Sequence, residues 1–253
     1  MSDEQALHER RTARLAHVLA REEPEPGEAH ACPYLPGREA RQVSLLLPGE
    51  RPGLYHSLMD LNFRRLGPVA YRPQCEACQA CRALRVPTAA FRPDRSQRRC
   101  LARNADLSVE VRPPAAEPET HALYARYLEG RHDGQMDGSW EEFVGFLHRS
   151  PLRTRELLYR AGGRLVAGAV IDLEPRAWSA VYCYFDPEEG RRSLGIYNVL
   201  WLLASARREG VPWVYLGYSV ADSATMAYKA DYVPCEILRP DGTWEARERR
   251  PRR

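Results

Sequence analysis

The chain has 253 residues, 44% of them apolar and 28% charged, which allows one large or two small globular domains with a real core. No apolar run approaches the ~18 residues of a membrane helix, the longest being Val199–Ala204. Met1 to Arg21 carries charges and lacks the apolar stretch of a secretory signal, so a cytoplasmic protein with no membrane partner is expected. The net charge of +3 is unevenly spread: residues 31–110 hold 13 arginines against 7 acids, and residues 111–253 balance. Seven arginines between Arg82 and Arg103 face Asp94 alone, a surface suited to polyphosphate. Lys229 is the only lysine, so a preference for Arg over Lys explains the residue type but not the missing acids.

Taken in order, residues 1–30 read as a helix-prone extension ending in a Glu-Pro-Glu-Pro-Gly linker. Leu54 to Arg65 has a helical period that carries Arg64 and Arg65. Val69–Tyr71 and Leu84–Val86 read as short strands, Arg95–Ala105 as a basic helix and Leu107–Val111 as a strand. Pro113 to Pro118 marks a joint, which divides the chain into an extension (1–30), a Cys/Arg-rich subdomain (31–112), a second domain (113–246) and a basic tail (247–253). Beyond the joint, Glu119–Gly130 and Ser139–Leu147 read as helices, the latter opened by the Ser139/Glu142 capping pattern. His132 reads as a helix-end histidine. Glu156–Ala161, Leu165–Leu173 and Ser179–Phe185 are three strands with hairpin-length breaks. A loop, a helix from Leu194 to Arg208 closed by Gly210, and a strand from Trp213 to Tyr218 follow. The expected class is α/β (α+β): a GNAT-like acyltransferase core, with a mixed, mostly antiparallel sheet flanked by helices and a smaller N-terminal subdomain of related type. In such folds a Gly-containing loop ahead of the helix binds the pyrophosphate of acetyl-CoA. Here Arg192-Ser-Leu-Gly195-Ile-Tyr197 puts a tyrosine where a second small residue belongs, which predicts a donor other than CoA.

Three cysteines, Cys75, Cys78 and Cys81, stand at metal-ligand spacing, with Cys32 or Cys100 as a fourth; they fit either a metal site or reduced structural thiols. Asp186, directly after a strand, fits either an orienting base for an incoming amine or a loop cap before Pro187. Tyr182, Tyr184, Tyr197, Tyr215, Tyr218 and Tyr228 give a high density of phenols that suit an oxyanion, a ribose or a stacked adenine, or else plain core packing. Lys229 suggests a compact cation for a phosphate or carboxylate.

Ordered stretches then carry a family resemblance: Cys32-Pro-Tyr-Leu-Pro36, Leu61-Asn-Phe-Arg-Arg-Leu-Gly67, Tyr71-Arg-Pro-Gln-Cys75 through Pro87, Tyr127-Leu-Glu-Gly-Arg-His132, Ala180–Pro187, Arg192–Tyr197, and Tyr215-Leu-Gly-Tyr218 through Lys229. Spanning residues 32–235, they resemble the bacterial aspartate/glutamate leucyltransferases, relatives of the arginyl-tRNA–protein transferases. The resemblance implies transfer of leucine from leucyl-tRNA to proteins that begin with Asp or Glu, which marks them for degradation. Arginyl transfer to the same acceptors is the alternative; a peptidoglycan-bridge transferase, a CoA-dependent acetyltransferase and a non-catalytic RNA-binding module are more distant ones. From the residues themselves, catalytic work is expected at Asp186, Tyr182 and Tyr218. Substrate contacts would come from Arg64, Arg65, Arg85, Tyr71, Tyr184, Arg192, Gly195, Tyr197, Tyr215, Tyr228 and Lys229, with Arg64 and Arg65 gripping the acceptor carboxylate. Zinc or an iron–sulfur cluster at Cys32, Cys75, Cys78 and Cys81 is implied by the eukaryotic relatives, and the transfer itself needs no cofactor because the ester is already activated. Departures from the family pattern are Asn62 for Gly, Leu66 for Ser, Thr225 for Lys and Ser219 for Trp, and such pocket changes set side-chain selectivity.

Overall fold

The computed structural model describes residues 3–21, 25–131, 137–223 and 225–248. His132 and the tail from residue 249 lie outside the described residues. The extension is helix α1 (Asp3–Arg21). A small hairpin, β1 (His30–Ala31) with β2 (Glu39–Ala40), precedes β3 (Gln42–Leu46), α2 (Leu54–Asp60), β4 (Arg64–Leu66) and β5 (Val69–Pro73). These last strands form an antiparallel sheet in the order β3-β5-β4. Leu54, Tyr55, Leu58 and Met59 of α2 pack on it with Val43, Phe63 and Ala70, and Ala16 of α1 closes the cluster.

The remaining elements are β6 (Arg82–Pro87), α3 (Arg95–Arg103), β7 (Leu107–Arg112), α4 (Pro118–Arg131), α5 (Trp140–Phe143), β8 (Thr154–Ala161), β9 (Arg164–Glu174), β10 (Ala177–Phe185), α6 (Leu194–Arg208), β11 (Trp213–Ser219), β12 (Cys235–Leu238) and β13 (Trp244–Arg247). They build one sheet of eight strands, ordered β13-β12-β6-β11-β10-β9-β8-β7. Only the β10–β11 pair is parallel. Strand β9 is buried along both faces, as its near-continuous apolar run requires. On one face Leu123, Tyr124, Leu128 and Phe143 of α4 and α5 pack against Leu158, Val170 and Tyr184. On the other, Leu194, Leu200, Leu202 and Leu203 of α6 pack against Leu157, Ala169 and Val214. The mixed α/β class with a mostly antiparallel, helix-flanked sheet is therefore the observed one.

The sequence-predicted limits are corrected in four places. Arg64 and Arg65 lie on strand β4, not on a helix, because the helix stops at Asp60 and Asn62 turns to φ 70°. The joint at Pro113 does not separate two sheets: β6 and β7 precede it and belong to the eight-stranded sheet. The smaller N-terminal sheet is wholly antiparallel and has no parallel pair like β10–β11. After Phe143 the helix widens into a π turn over Val144–His148. Ser139 does cap α5, its hydroxyl accepting from the Glu142 N–H, and Gly210 takes φ 71° just past α6. No helix among the described residues is long and apolar enough to cross a membrane.

Glu174, at the end of β9, accepts from the backbone N–H groups of Gly53 (2.5 Å) and Tyr55 (3.2 Å), tying α2 to the large sheet. Burial pushes its carboxyl up to about 7, against the pull of those two N–H donors. A folded-state pKa above the unfolded one means stability present below about pH 4.5 and lost as pH rises through 7. Urea unfolding from pH 4.5 to 8 should therefore show the wild type losing on the order of 3 kcal/mol relative to Glu174→Gln across that window. A parallel pH dependence in the two proteins would contradict it.

Candidate active site at the parting of two parallel strands

Strands β10 and β11 are matched at only three positions, Ala177–Trp213, Trp178–Val214 and Ser179–Tyr215. Both strands then slip register against their other neighbours, between Ala180 and Tyr182 on β10 and between Tyr215 and Gly217 on β11. A bulge bends a strand and leaves ladder groups unpaired. Beyond it the two strands share no further register, and their carbonyls need other partners.

Arg64 supplies them. Its Nη2 donates to the carbonyls of Ala180 (3.2 Å) and Val181 (3.1 Å). Its guanidinium lies 5.6 Å from the centroid of the Tyr218 ring. Gly217 makes room, having φ +78° and a Cα hydrogen where a Cβ would run into Arg64 Nη1. Tyr218, fully buried, presents its hydroxyl to the carbonyls of Asn62 (2.9 Å) and Tyr71 (3.2 Å) and can donate to one of them at a time. Burial holds this phenol well above its ordinary range, so it is a donor at any working pH. Lys229 Nζ donates to the Tyr218 carbonyl at 3.1 Å. Burial first, then the nearby Arg64 charge, lower its pKa well below that of a free lysine.

Of this group Tyr218 and its partners Asn62 and Tyr71 line a cavity of about 710 Å³, together with Tyr34, Cys81 and Arg82 among others, while Arg64 and Lys229 stand behind Tyr218. Asn62 fixes its rim: the side-chain amide donates to the Cys81 carbonyl (3.0 Å) and accepts from the Ala83 N–H (2.7 Å). Its left-handed backbone explains one departure from the family pattern at this cavity, since Asn tolerates the conformation that favours Gly; Leu66, a second departure, also lines it. Tyr34 and Asn62 drew no attention as site residues from sequence, although an Asn in a Gly position pointed to this turn.

Several predicted site residues sit elsewhere. Arg65 is withdrawn from solvent: its Nε meets Asp172 at 2.7 Å, with both side chains essentially unexposed, and Thr154 donates to the other Asp172 oxygen. Arg85 lies between the rings of Trp213 (4.1 Å) and Trp244 (3.9 Å) and pairs with Asp60 and Glu236. Tyr215 donates to Asp60 in the same group. Asp186 takes the capping role: it accepts from the Glu188 N–H and pairs with Arg164 at 2.6 Å. Arg192 is held by Asp106 and Glu189. Tyr197 turns into the core against Tyr159, so its ring does not block the loop; Arg64 is what fills the parted strands. Gly195 has only an ordinary contact with Phe185. Tyr182 and Tyr184 share the α4 face in a group of rings with Tyr124, and a Cβ on Gly168 would run into the Tyr184 ring. Tyr228 is exposed and edges Tyr232.

The four cysteines gather at the cavity, where burial and the neighbouring Cys32, Cys75 and Cys78 push the Cys81 thiol up to about 12. Among the described residues no group of three or more His, Cys, Asp or Glu side chains is placed to hold a metal ion. Cys100 is apart, buried beneath α6.

Two family models match in chain order: the arginine-tRNA-protein transferase N terminus over residues 30–99 and its C terminus over residues 119–239. The chain belongs to the arginine-tRNA-protein transferase family. Arg64, Tyr71 and the four cysteines of this transferase come from the first segment, and Tyr218 and Lys229 from the second, so the site is built where the two meet. It is 44% identical over 216 residues to the aspartate/glutamate leucyltransferase of Pseudomonas fluorescens (strain Pf0-1), covering 83% of this chain and 91% of that one. It is 45% identical over 226 residues to the enzyme of that name from Halorhodospira halophila, covering 87% and 94%. Among solved structures, the C-terminal domain of a putative lysylphosphatidylglycerol synthetase from Agrobacterium fabrum aligns with TM-score 0.45 and 12% identity, over 84% of this chain and 79% of that one.

The buried Arg65–Asp172 pair makes a clear stability prediction. Arg65→Met leaves an uncompensated buried carboxylate and should cost roughly 3–5 kcal/mol by urea unfolding, while adding Asp172→Leu should recover much of it. Unchanged stability with a raised Michaelis constant for acceptor peptide would instead return Arg65 to the acceptor pocket.

Proposed function

We propose that this transferase moves leucine from leucyl-tRNA to the α-amine of proteins beginning with Asp or Glu, in the cytoplasm, creating a degradation signal. The observation that carries the reading is the paired family match together with 44% identity to enzymes named for that activity. In the step, the amine nitrogen bonds to the ester carbonyl carbon, the bond to the ribose oxygen breaks, and a proton passes from the amine to that oxygen. An α-amine has a pKa of about 7.7–8.0, so a useful fraction is already neutral. Rate then depends mainly on holding the two ends together and on stabilising the oxyanion.

The reading assigns roles to groups at the parted strands. The cavity takes the acceptor's first residue, and its carboxylate faces the lining arginines, with Arg82 as the principal contact. Tyr218 forms part of the wall with Arg64 behind it, and Lys229, its pKa lowered by burial and then by Arg64, takes the amine's excess proton and passes it on to the ribose oxygen. The transfer uses no cofactor. By donor chemistry the thiols of Cys32, Cys75, Cys78 and Cys81 suit zinc or an iron–sulfur cluster, but as placed they do not form a ligand set of three or more.

The test is a donor panel: every charged tRNA against Asp-, Glu- and Lys-starting peptides, scored by mass. The expected product is leucine added to the first two alone; arginine in its place would change the donor and keep the class. Arg82→Ala should raise the acceptor Michaelis constant about ten- to a hundredfold, as removal of a charge-assisted hydrogen bond does. Lys229→Arg, a permanent cation, should lower kcat by about 10²–10⁴. Wild-type kinetics in either variant would contradict the role given to that residue.

A further inference from the structure

Helix α3 carries a charge pattern that the reaction does not account for. Arg95, Arg98, Arg99 and Arg103 recur at intervals of three and four and are all exposed, while Gln97 and Cys100 are buried on the opposite side. A stripe of this period lies along one face, about 12 Å from end to end. The helix is well anchored, with a complete capping box at Asp94 and Gln97. At its other end Asn104 donates to the Arg192 carbonyl, and Arg103 to that of Arg191, in the turn before α6. The exposed Arg191 side chain extends the stripe across that turn.

Carboxylates stand near this stripe but are occupied. Asp106 is held bidentately by Arg192, Glu189 by Arg164 and Arg192, and Asp94 by the cap. Among the described residues none pairs with Arg95, Arg98, Arg99, Arg103 or Arg191. Arg98 and Arg103 donate only to backbone carbonyls, which leaves most of each guanidinium for another acceptor. The stripe also ends at the right place. Strands β10 and β11 run parallel, so Phe185 and Ser219 lie at the same end of the sheet. The turn before α6 follows Phe185 directly, and the cavity opens beside Tyr218 and Arg82, where β11 meets the start of β6.

We infer that the α3 stripe and Arg191 are the docking surface for the base-paired acceptor stem of the charged tRNA, gripping its phosphates while the 3′ end reaches the cavity. Guanidinium groups match phosphate oxygens geometrically, and double-stranded RNA is recognised chiefly through backbone and shape. The inference rests on the tRNA-dependent reaction proposed above and adds where the tRNA sits.

Binding of uncharged tRNA to the full-length protein, measured across salt concentrations, tests it. Arg95→Ala/Arg99→Ala should weaken binding at least tenfold near 0.1 M salt and make the log–log salt slope shallower by about 1.4–1.8, as loss of two phosphate contacts requires. The Michaelis constant for charged tRNA should rise in step, with the acceptor constant and the thermal midpoint held. Arg95→Lys/Arg99→Lys should restore most of the slope. Wild-type tRNA affinity and slope in the alanine variant, with leucine transfer intact, would overturn the surface alone. So would a loss confined to anionic phosphatidylglycerol vesicles. Arginine-dependent tRNA binding by a protein that transfers no leucine would uphold the surface and overturn the leucyl reading.

Discussion

Two adjacent arginines on one short strand hold the molecule together. Arg65 and Arg64 alternate on β4, so they leave it in different directions. Arg65 reaches Asp172 on β9, and Arg64 reaches the carbonyls of β10 where it parts from β11. The small sheet is thereby fixed to the large one by charge-assisted bonds inside the molecule, in addition to the shared apolar contacts of Ala177 and Tyr215. The cavity lies beside that junction, and its rim residues Asn62 and Tyr71 come from the segments flanking β4. Glu174 on the α2 end and the Tyr218 hydroxyl on Asn62 and Tyr71 reinforce the same junction.

The same constraint sets what stands between the parted strands. Parted parallel strands leave backbone groups available to a bound acyl carrier. Here a side chain from the chain's own N-terminal half satisfies those of Ala180 and Val181. The turn ahead of α6 is likewise occupied by its own partners, Arg192 being held by Asp106 and Glu189.

Elements defined by local pattern were legible in the sequence. Helix α6 coincides with its expected span, and β8, β9 and β10 differ from theirs by a few residues, because period and Gly/Pro punctuation act within one element. The site was less legible because its decisive contacts are remote. Arg65 and Asp172 are 107 residues apart, and nothing near Arg65 in sequence signals that a buried carboxylate awaits it. Read locally, paired arginines suggest an anion-binding face; folded, they are internal ties. Asp186 takes its loop-capping alternative, which was legible in the adjacent Pro187. Tyr218 and Lys229 were visible as a phenol and a solitary lysine, but their convergence with Arg64 depends on two register slips that no periodicity predicts.

The claim that the Arg64 guanidinium occupies the parted strands, with Gly217 giving it room, is open to a double-mutant cycle on unfolding free energy. Gly217→Ala, Arg64→Ala and the double variant would be measured by urea unfolding. In the wild type a Cβ at 217 meets the guanidinium; with Arg64 truncated that collision is gone and only the backbone cost at φ +78° remains. The account predicts that the two changes are non-additive, with the second costing less once the first is made, by at least ~1 kcal/mol. Additive losses within ~0.3 kcal/mol would show that the two residues do not share this space and would contradict it.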